Sequence, residues 1–90
     1  MIKAAAYIVV HGKVHGVYFR ASTRAKALEF CLTGWVRNLS NGTVEVHAEG
    51  RRDSLDQLIK WCQTGPASAK VSRCDLNWIT PEGMDEFRIL

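Results

Sequence analysis

Gly34-Trp35-Val36-Arg37-Asn38-Leu39-Ser40-Asn41-Gly42-Thr43-Val44-Glu45-Val46-His47-Ala48-Glu49-Gly50 is the stretch that decides the architecture. Two runs, Trp35 to Asn38 and Thr43 to Ala48, flank Leu39-Ser40-Asn41-Gly42, and Asn-Gly supplies the positive φ angles of a tight hairpin turn. The runs therefore read as antiparallel strands. On the second, Val44, Val46 and Ala48 alternate with Thr43, Glu45, His47 and Glu49, so one face is expected to be buried and the other wet or partly covered. Gly50 closes the strand.

Upstream of this hairpin, Ala21, Ala25, Leu28 and Leu32 recur at helical spacing, with Arg24, Lys26 and Glu29 elsewhere on the wheel. A first helix over 21–32, ended near Gly34, is expected. Before it, Ala4 to His11 reads as an inner strand with Ala6, Ile8 and Val10 on one face and Ala5, Tyr7, Val9 and His11 on the other. Downstream, Leu55, Leu58, Ile59 and Cys62 form the stripe of a second helix, with Asp53 or Ser54 available as cap and Gly65-Pro66 as stop. Val71 to Ile79 and Phe87 to Leu90 then read as strands divided by the Thr80-Pro81-Glu82-Gly83 turn. The order β-α-β-β-α-β predicts an α+β, ferredoxin-like split β-α-β fold: an antiparallel sheet with two helices on one face. Such domains bind RNA, carry metals or catalyse, so function must come from particular residues.

Ninety residues are one compact domain, expected to span 1–90, and 47% hydrophobic with 23% charged residues is an ordinary globular balance. The apolar run Ala4 to Val10 is far below the roughly 20 residues of a membrane span. It also lacks the pattern of a secretory leader, so a cytoplasmic location without membrane attachment is expected. Cys31, Cys62 and Cys74 lie far apart with no Cys-x-x-Cys pair, which removes zinc knuckles and thioredoxin chemistry and leaves at most one optional bridge of undetermined pairing. A net charge of +3 favours a small anion such as phosphate, while scattered basic residues give no stripe for nucleic acid. His11, His15 and His47 do not align as metal ligands, and Trp35, Trp61 and Trp78 are dispersed over three elements, as packing residues are. No metal is expected.

The segment Gly12-Lys13-Val14-His15-Gly16-Val17-Tyr18-Phe19-Arg20 lies between the first strand and the first helix, where successive backbone N–H groups can converge on an anion. Gly16 permits a backbone angle closed to other residues, and Arg20 offers a permanently charged fork that matches two phosphate oxygens. The loop is not a Walker loop, which ends in Gly-Lys-Ser/Thr. Nor is it a cysteine-phosphatase loop, whose nucleophilic Cys would stand where this chain has Val14. No covalent nucleophile is in place.

This loop resembles the acylphosphatase signature Gly-x-Val-x-Gly-Val-x-Phe-Arg at Gly12, Val14, Gly16, Val17, Phe19 and Arg20. A second signature of that family is similar to Gly34-Trp35-Val36-Arg37-Asn38 followed by Gly42-Thr43-Val44-Glu45, and the helix stop at Gly65-Pro66 and the closing Phe87-Arg88-Ile89 match as well. His15 departs from the pattern, standing where the family usually has Gln, and Tyr18 falls at a variable position.

The resemblance implies a cofactor-free, metal-independent, monomeric hydrolase of acid anhydrides that cuts the carboxyl-phosphate bond of acyl phosphates and is inhibited by phosphate or sulfate. By the same resemblance Arg20 binds the phosphoryl group with the backbone of His15, Gly16, Val17, Tyr18 and Phe19, and Asn38 positions the attacking water. Carboxylate is a good leaving group, with a conjugate-acid pKa of roughly 4, so charge stabilisation and alignment are what remains to be supplied. Two other readings stay open: a non-catalytic anion or nucleic-acid binding module on the same fold, and a regulatory domain of a larger protein.

Overall fold

The computed structural model describes residues 3–90. Its elements are β1 (Ala4–Lys13), α1 (Phe19–Glu29), β2 (Thr33–Asn38), β3 (Val44–Gly50), α2 (Arg52–Cys62), β4 (Lys70–Ile79) and β5 (Phe87–Ile89). Five strands form one sheet in the order β4-β1-β3-β2-β5. Ala6, Ile8 and Val10 of β1, Val36 of β2 and Val44, Val46 and Ala48 of β3 share one core with Phe19 and Ala27 of α1 and Leu55, Leu58 and Cys62 of α2. The expected arrangement of two helices covering one face is therefore present, α1 lying on β2 and β5, and α2 on β1 and β3.

The sheet is mixed, in contrast to the antiparallel one expected. β4, β1, β3 and β2 pair antiparallel, but β5 runs parallel to β2, with Gly34, Trp35 and Val36 opposite Phe87, Arg88 and Ile89. The reason is connectivity: β4 is one edge of the sheet and β5 the other, so the chain between them crosses the end of the sheet and enters beside β2 in the same direction. What holds this crossing is Glu49, which the alternation left on the wet or partly covered face. Its carboxylate is fully buried and accepts the backbone N–H groups of Glu82 (2.6 Å), Gly83 (3.0 Å) and Met84 (3.1 Å), and the His47 ring at 2.7 Å. Burial alone would push this carboxyl up; the Glu82 N–H, the His47 ring and the other two N–H groups outweigh it and hold the pKa below its ordinary value.

Every residue of β3 is buried, because its outer face is roofed by neighbours from both sides. Tyr7 and Arg37 both donate to Glu45, the Trp35 ring stacks on His47 at 5.6 Å, and the Arg37 guanidinium lies over the Trp35 ring at 5.1 Å. The hydrogen bond to Glu45 raises the Tyr7 pKa, since it opposes a phenolate, and burial adds to this.

The first helix begins earlier and ends earlier than its apolar spacing suggests. Its buried residues are Phe19, Thr23 and Ala27, while Ala21, Ala25 and Leu28 face outward. Thr23 disguises this stripe; its buried hydroxyl donates to the Phe19 carbonyl at 2.8 Å and so enters the core satisfied. The stop is at Cys31, with φ 59°, and not at Gly34: Leu32 N–H reaches the Ala27 carbonyl (2.8 Å) and Cys31 N–H the Leu28 carbonyl (3.1 Å), the Schellman pair of bonds. Leu32 then packs in the core from outside the helix.

For α2, neither Asp53 nor Ser54 caps. Arg51 is the N-cap without a side-chain bond, and Asp53 accepts from the Ser54 N–H at 2.9 Å. In the hairpin only Gly42 takes a positive φ (91°); a turn closed by Gly42 N–H to the Leu39 carbonyl (3.1 Å) replaces the tight Asn-Gly form, and Asn41 Oδ1 accepts from Thr43 N–H and Oγ1.

Candidate active site

The pairing fixes which loops meet. β1, β2 and β5 run in one direction, so the chain leaves them at one end of the sheet: the 14–18 loop after β1, the hairpin turn after β2, and Leu90 after β5. The helix α1 also starts there, which aims its N-terminal N–H groups at the same space.

In the loop, Val14 and Val17 are buried among the core side chains and act as pegs, with Ser68 Oγ donating to the Val17 carbonyl at 3.1 Å. Between and after the pegs, Gly16 (φ 69°) and Tyr18 (φ 60°) take left-handed conformations. Gly16 does so freely, whereas a Tyr there costs on the order of 1 kcal/mol. The reversal leaves the N–H groups of residues 15–20 outside every backbone hydrogen bond among the described residues, and α1 has no side-chain cap to take one up. A run of N–H groups left free beside a helix N-terminus is able to accept an anion.

A cavity of about 430 Å³ opens at this point, and Gly16, Tyr18, Phe19, Arg20 and Asn38 line it, together with Val14, Ala21 and Ile89. Among the described residues lining it, Arg20 is the one with a charged side chain, and none is Asp or Glu. One guanidinium nitrogen of Arg20, Nη1, donates to the main-chain oxygen of Leu90 at 3.5 Å, a loose tether. Asn38 ends β2 opposite Val44. Two of the expected residues do not line the cavity with their side chains: Val17 is a peg, and the half-buried His15 turns its ring to the Thr43 carbonyl at 2.8 Å. Ile89 and the main-chain oxygen of Leu90 were not expected there. No local signal marks them, because the parallel pairing of β5 with β2 is what brings them in.

The titratable groups with perturbed pKa values all lie away from this cavity. Hydrogen bonds from Arg73 and then His11 hold Asp75 below the usual carboxylate range. Burial pushes the Cys62 thiol far up, and burial followed by the nearby Asp75 raises Cys74. The three cysteines are free thiols. Among the described residues no group of His, Cys, Asp and Glu side chains is arranged to hold a metal, and no helix is long and apolar enough to cross a membrane.

A ferredoxin-like domain with a run of free N–H groups, a guanidinium and an amide at one cavity has the make-up of a small anion-binding protein. The particular family follows from its relatives: the acylphosphatase family model matches residues 6–89. An acylphosphatase from Pelotomaculum thermopropionicum is 49% identical over 78 residues, covering 87% of this chain and 85% of that one. The structure of an acylphosphatase from Coxiella burnetii superposes with a TM-score of 0.95 at 45% identity, covering 98% of this chain and 93% of that one. The Bacillus subtilis acylphosphatase structure gives 0.94 at 32% identity, covering 97% and 98%. The chain belongs to the acylphosphatase family.

Proposed function

We propose that this chain hydrolyses acyl phosphates to a carboxylate and inorganic phosphate at the cavity between the 14–20 loop and Asn38. The observation that carries the reading is the joint presence on one cavity of free backbone N–H groups, the Arg20 fork and the neutral Asn38 amide, with no Asp or Glu side chain among the described lining residues. The N–H groups of residues 15–20 and Arg20 hold the phosphoryl oxygens, over which the transition state spreads its negative charge. Asn38 holds a water in line with the bond to the acyl oxygen. The water oxygen bonds to phosphorus as the P–O bond to the acyl group breaks; the electron pair leaves with the carboxylate, and the proton lost by water ends on phosphate or solvent. Because the carboxylate leaves without protonation, no acid need stand near it.

Arg20 and the N–H dipoles supply the positive charge in this reading, so it requires no metal or cofactor. The family's small-molecule substrate needs no macromolecular partner, and the reading is of a monomer that does not bind nucleic acid. Three free thiols suit a reducing compartment such as the cytoplasm. The test is phosphate release from benzoyl phosphate by the protein and by its Arg20→Ala variant. Turnover that Arg20→Ala abolishes, with circular dichroism unchanged, is expected; binding of phosphate without turnover by the parent chain would identify a binding module, and turnover retained by the folded variant would remove Arg20.

A further inference from the structure

We propose that His15 is a positioning residue that sets the distance and angle between the phosphate cradle and Asn38, through the hydrogen bond from its ring to the Thr43 carbonyl. The proposal rests on the reading above and adds to it a residue whose side chain faces away from the cavity. The bond is 2.8 Å long and runs from Nε2. Since a carbonyl can only accept, Nε2 carries a proton and donates. The same Thr43 oxygen accepts the Leu39 N–H at 2.9 Å, so the ring and the turn share one acceptor. Leu39 directly follows Asn38, and Thr43 directly precedes Val44, the partner of Asn38 across β2 and β3. His15 thus grips the turn at the carbonyl that closes the chain around Asn38.

Among the described residues this is the one hydrogen bond between the 14–20 loop and the 38–44 segment. The loop's other ties go elsewhere, Val17 to Ser68 and Arg20 to Leu90. The division has a kinetic meaning. The free N–H groups and Arg20 lie on one continuous piece of chain, so the phosphate site can form without the grip. The water held by Asn38 comes from the other piece, and its alignment with phosphorus depends on how the two pieces are held together. A misplacement of about 1 Å at a reacting centre costs on the order of a hundredfold in rate.

Three variants, His15→Ala, Asn38→Ala and the double variant, together with His15→Gln, test this by kcat, the inhibition constant for inorganic phosphate, and thermal stability. His15→Ala is expected to lower kcat by about ten- to a hundredfold while the phosphate constant stays within about twofold, because the cradle itself is intact. His15→Gln, whose amide N–H can reach the same carbonyl, recovers most of the lost kcat. In the Asn38→Ala background, His15→Ala has no further effect on kcat, because the two residues act as one unit. Additive losses in the double variant, a phosphate constant weakened in parallel with kcat, or unchanged kcat in His15→Ala would each overturn the proposal. Should His15→Ala unfold, nitrogen NMR of the parent protein decides: the neutral ring must carry its proton on Nε2, and a proton on Nδ1 would refute the grip. An Asn38→Ala variant with normal kcat would refute the water-positioning role and this proposal with it, whereas an impaired Asn38→Ala with additive losses in the double variant would refute this proposal alone.

Discussion

Replacing Glu49 by alanine is expected to destabilise the fold by about 3 to 5 kcal/mol, the range for removing one partner from a buried, hydrogen-bonded charge. Four donors converge on this carboxylate: the N–H groups of residues 82, 83 and 84 and the His47 ring, at 2.6 to 3.1 Å. Hydrogen bonds to a charged acceptor contribute about 1.5 to 3 kcal/mol each. The full sum is not lost, since Glu82 and Gly83 are exposed and their N–H groups can turn to water. For a domain of this size about 1 kcal/mol moves the melting temperature by roughly 4 to 8 °C, so the variant should melt at least about 12 °C lower. Thermal unfolding at neutral pH, followed by circular dichroism, reads this directly. The folded pKa of Glu49 lies below its unfolded value of 4.5, so its stabilisation is complete above pH 4.5 and is lost as pH falls through the folded pKa. The gap in melting temperature between the parent and Glu49→Gln should therefore narrow below pH 4.5. A loss under about 4 °C for Glu49→Ala, or a gap that is constant from pH 7 to strong acid, would refute the claim that Glu49 fastens the crossing to β5.

Phosphate and sulfate should inhibit competitively and raise the melting temperature, with about 2.7 kcal/mol of stabilisation at a hundredfold excess over Kd; no shift at high phosphate would count against the cradle. EDTA should leave turnover unchanged, and activity lost with chelator and regained with magnesium would contradict the charge balance given to Arg20 and the N–H groups. Cys31→Gly should raise stability by about 0.5 to 1 kcal/mol with kcat unaltered, because glycine takes the φ of 59° at the end of α1 without strain; a lower melting temperature would show that the thiol packs more than its exposure suggests.

The element order was legible because it rests on local patterns, the alternation in Val44, Val46 and Ala48 and the Leu55, Leu58 and Cys62 stripe, while the pairing of Arg20 with Asn38, which line one cavity, was implied by the family resemblance of two short motifs. What was not legible depends on contacts distant in sequence or on unusual residues in usual roles. Thr23 occupies a core position because its hydroxyl finds the Phe19 carbonyl, and Cys31 ends a helix where Gly is the usual signal. Glu49 looks like a solvent-facing strand residue until the 82–84 crossing, over thirty positions later, closes on it. The parallel placement of β5, which carries Ile89 to the cavity, follows from that crossing and from nothing within Phe87 to Ile89 itself.

The division of labour between a cradle that holds phosphate and an amide that aligns water is tested most directly by Asn38→Ala, with kcat, phosphate inhibition and thermal stability measured on one preparation. Losing one preorganised polar group at a reacting centre is expected to lower kcat by about two to three orders of magnitude. Phosphate inhibition should stay within about twofold of the parent, because Arg20 and the N–H groups of residues 15–20 are untouched. A stable Asn38→Ala protein with near-normal kcat would contradict the account.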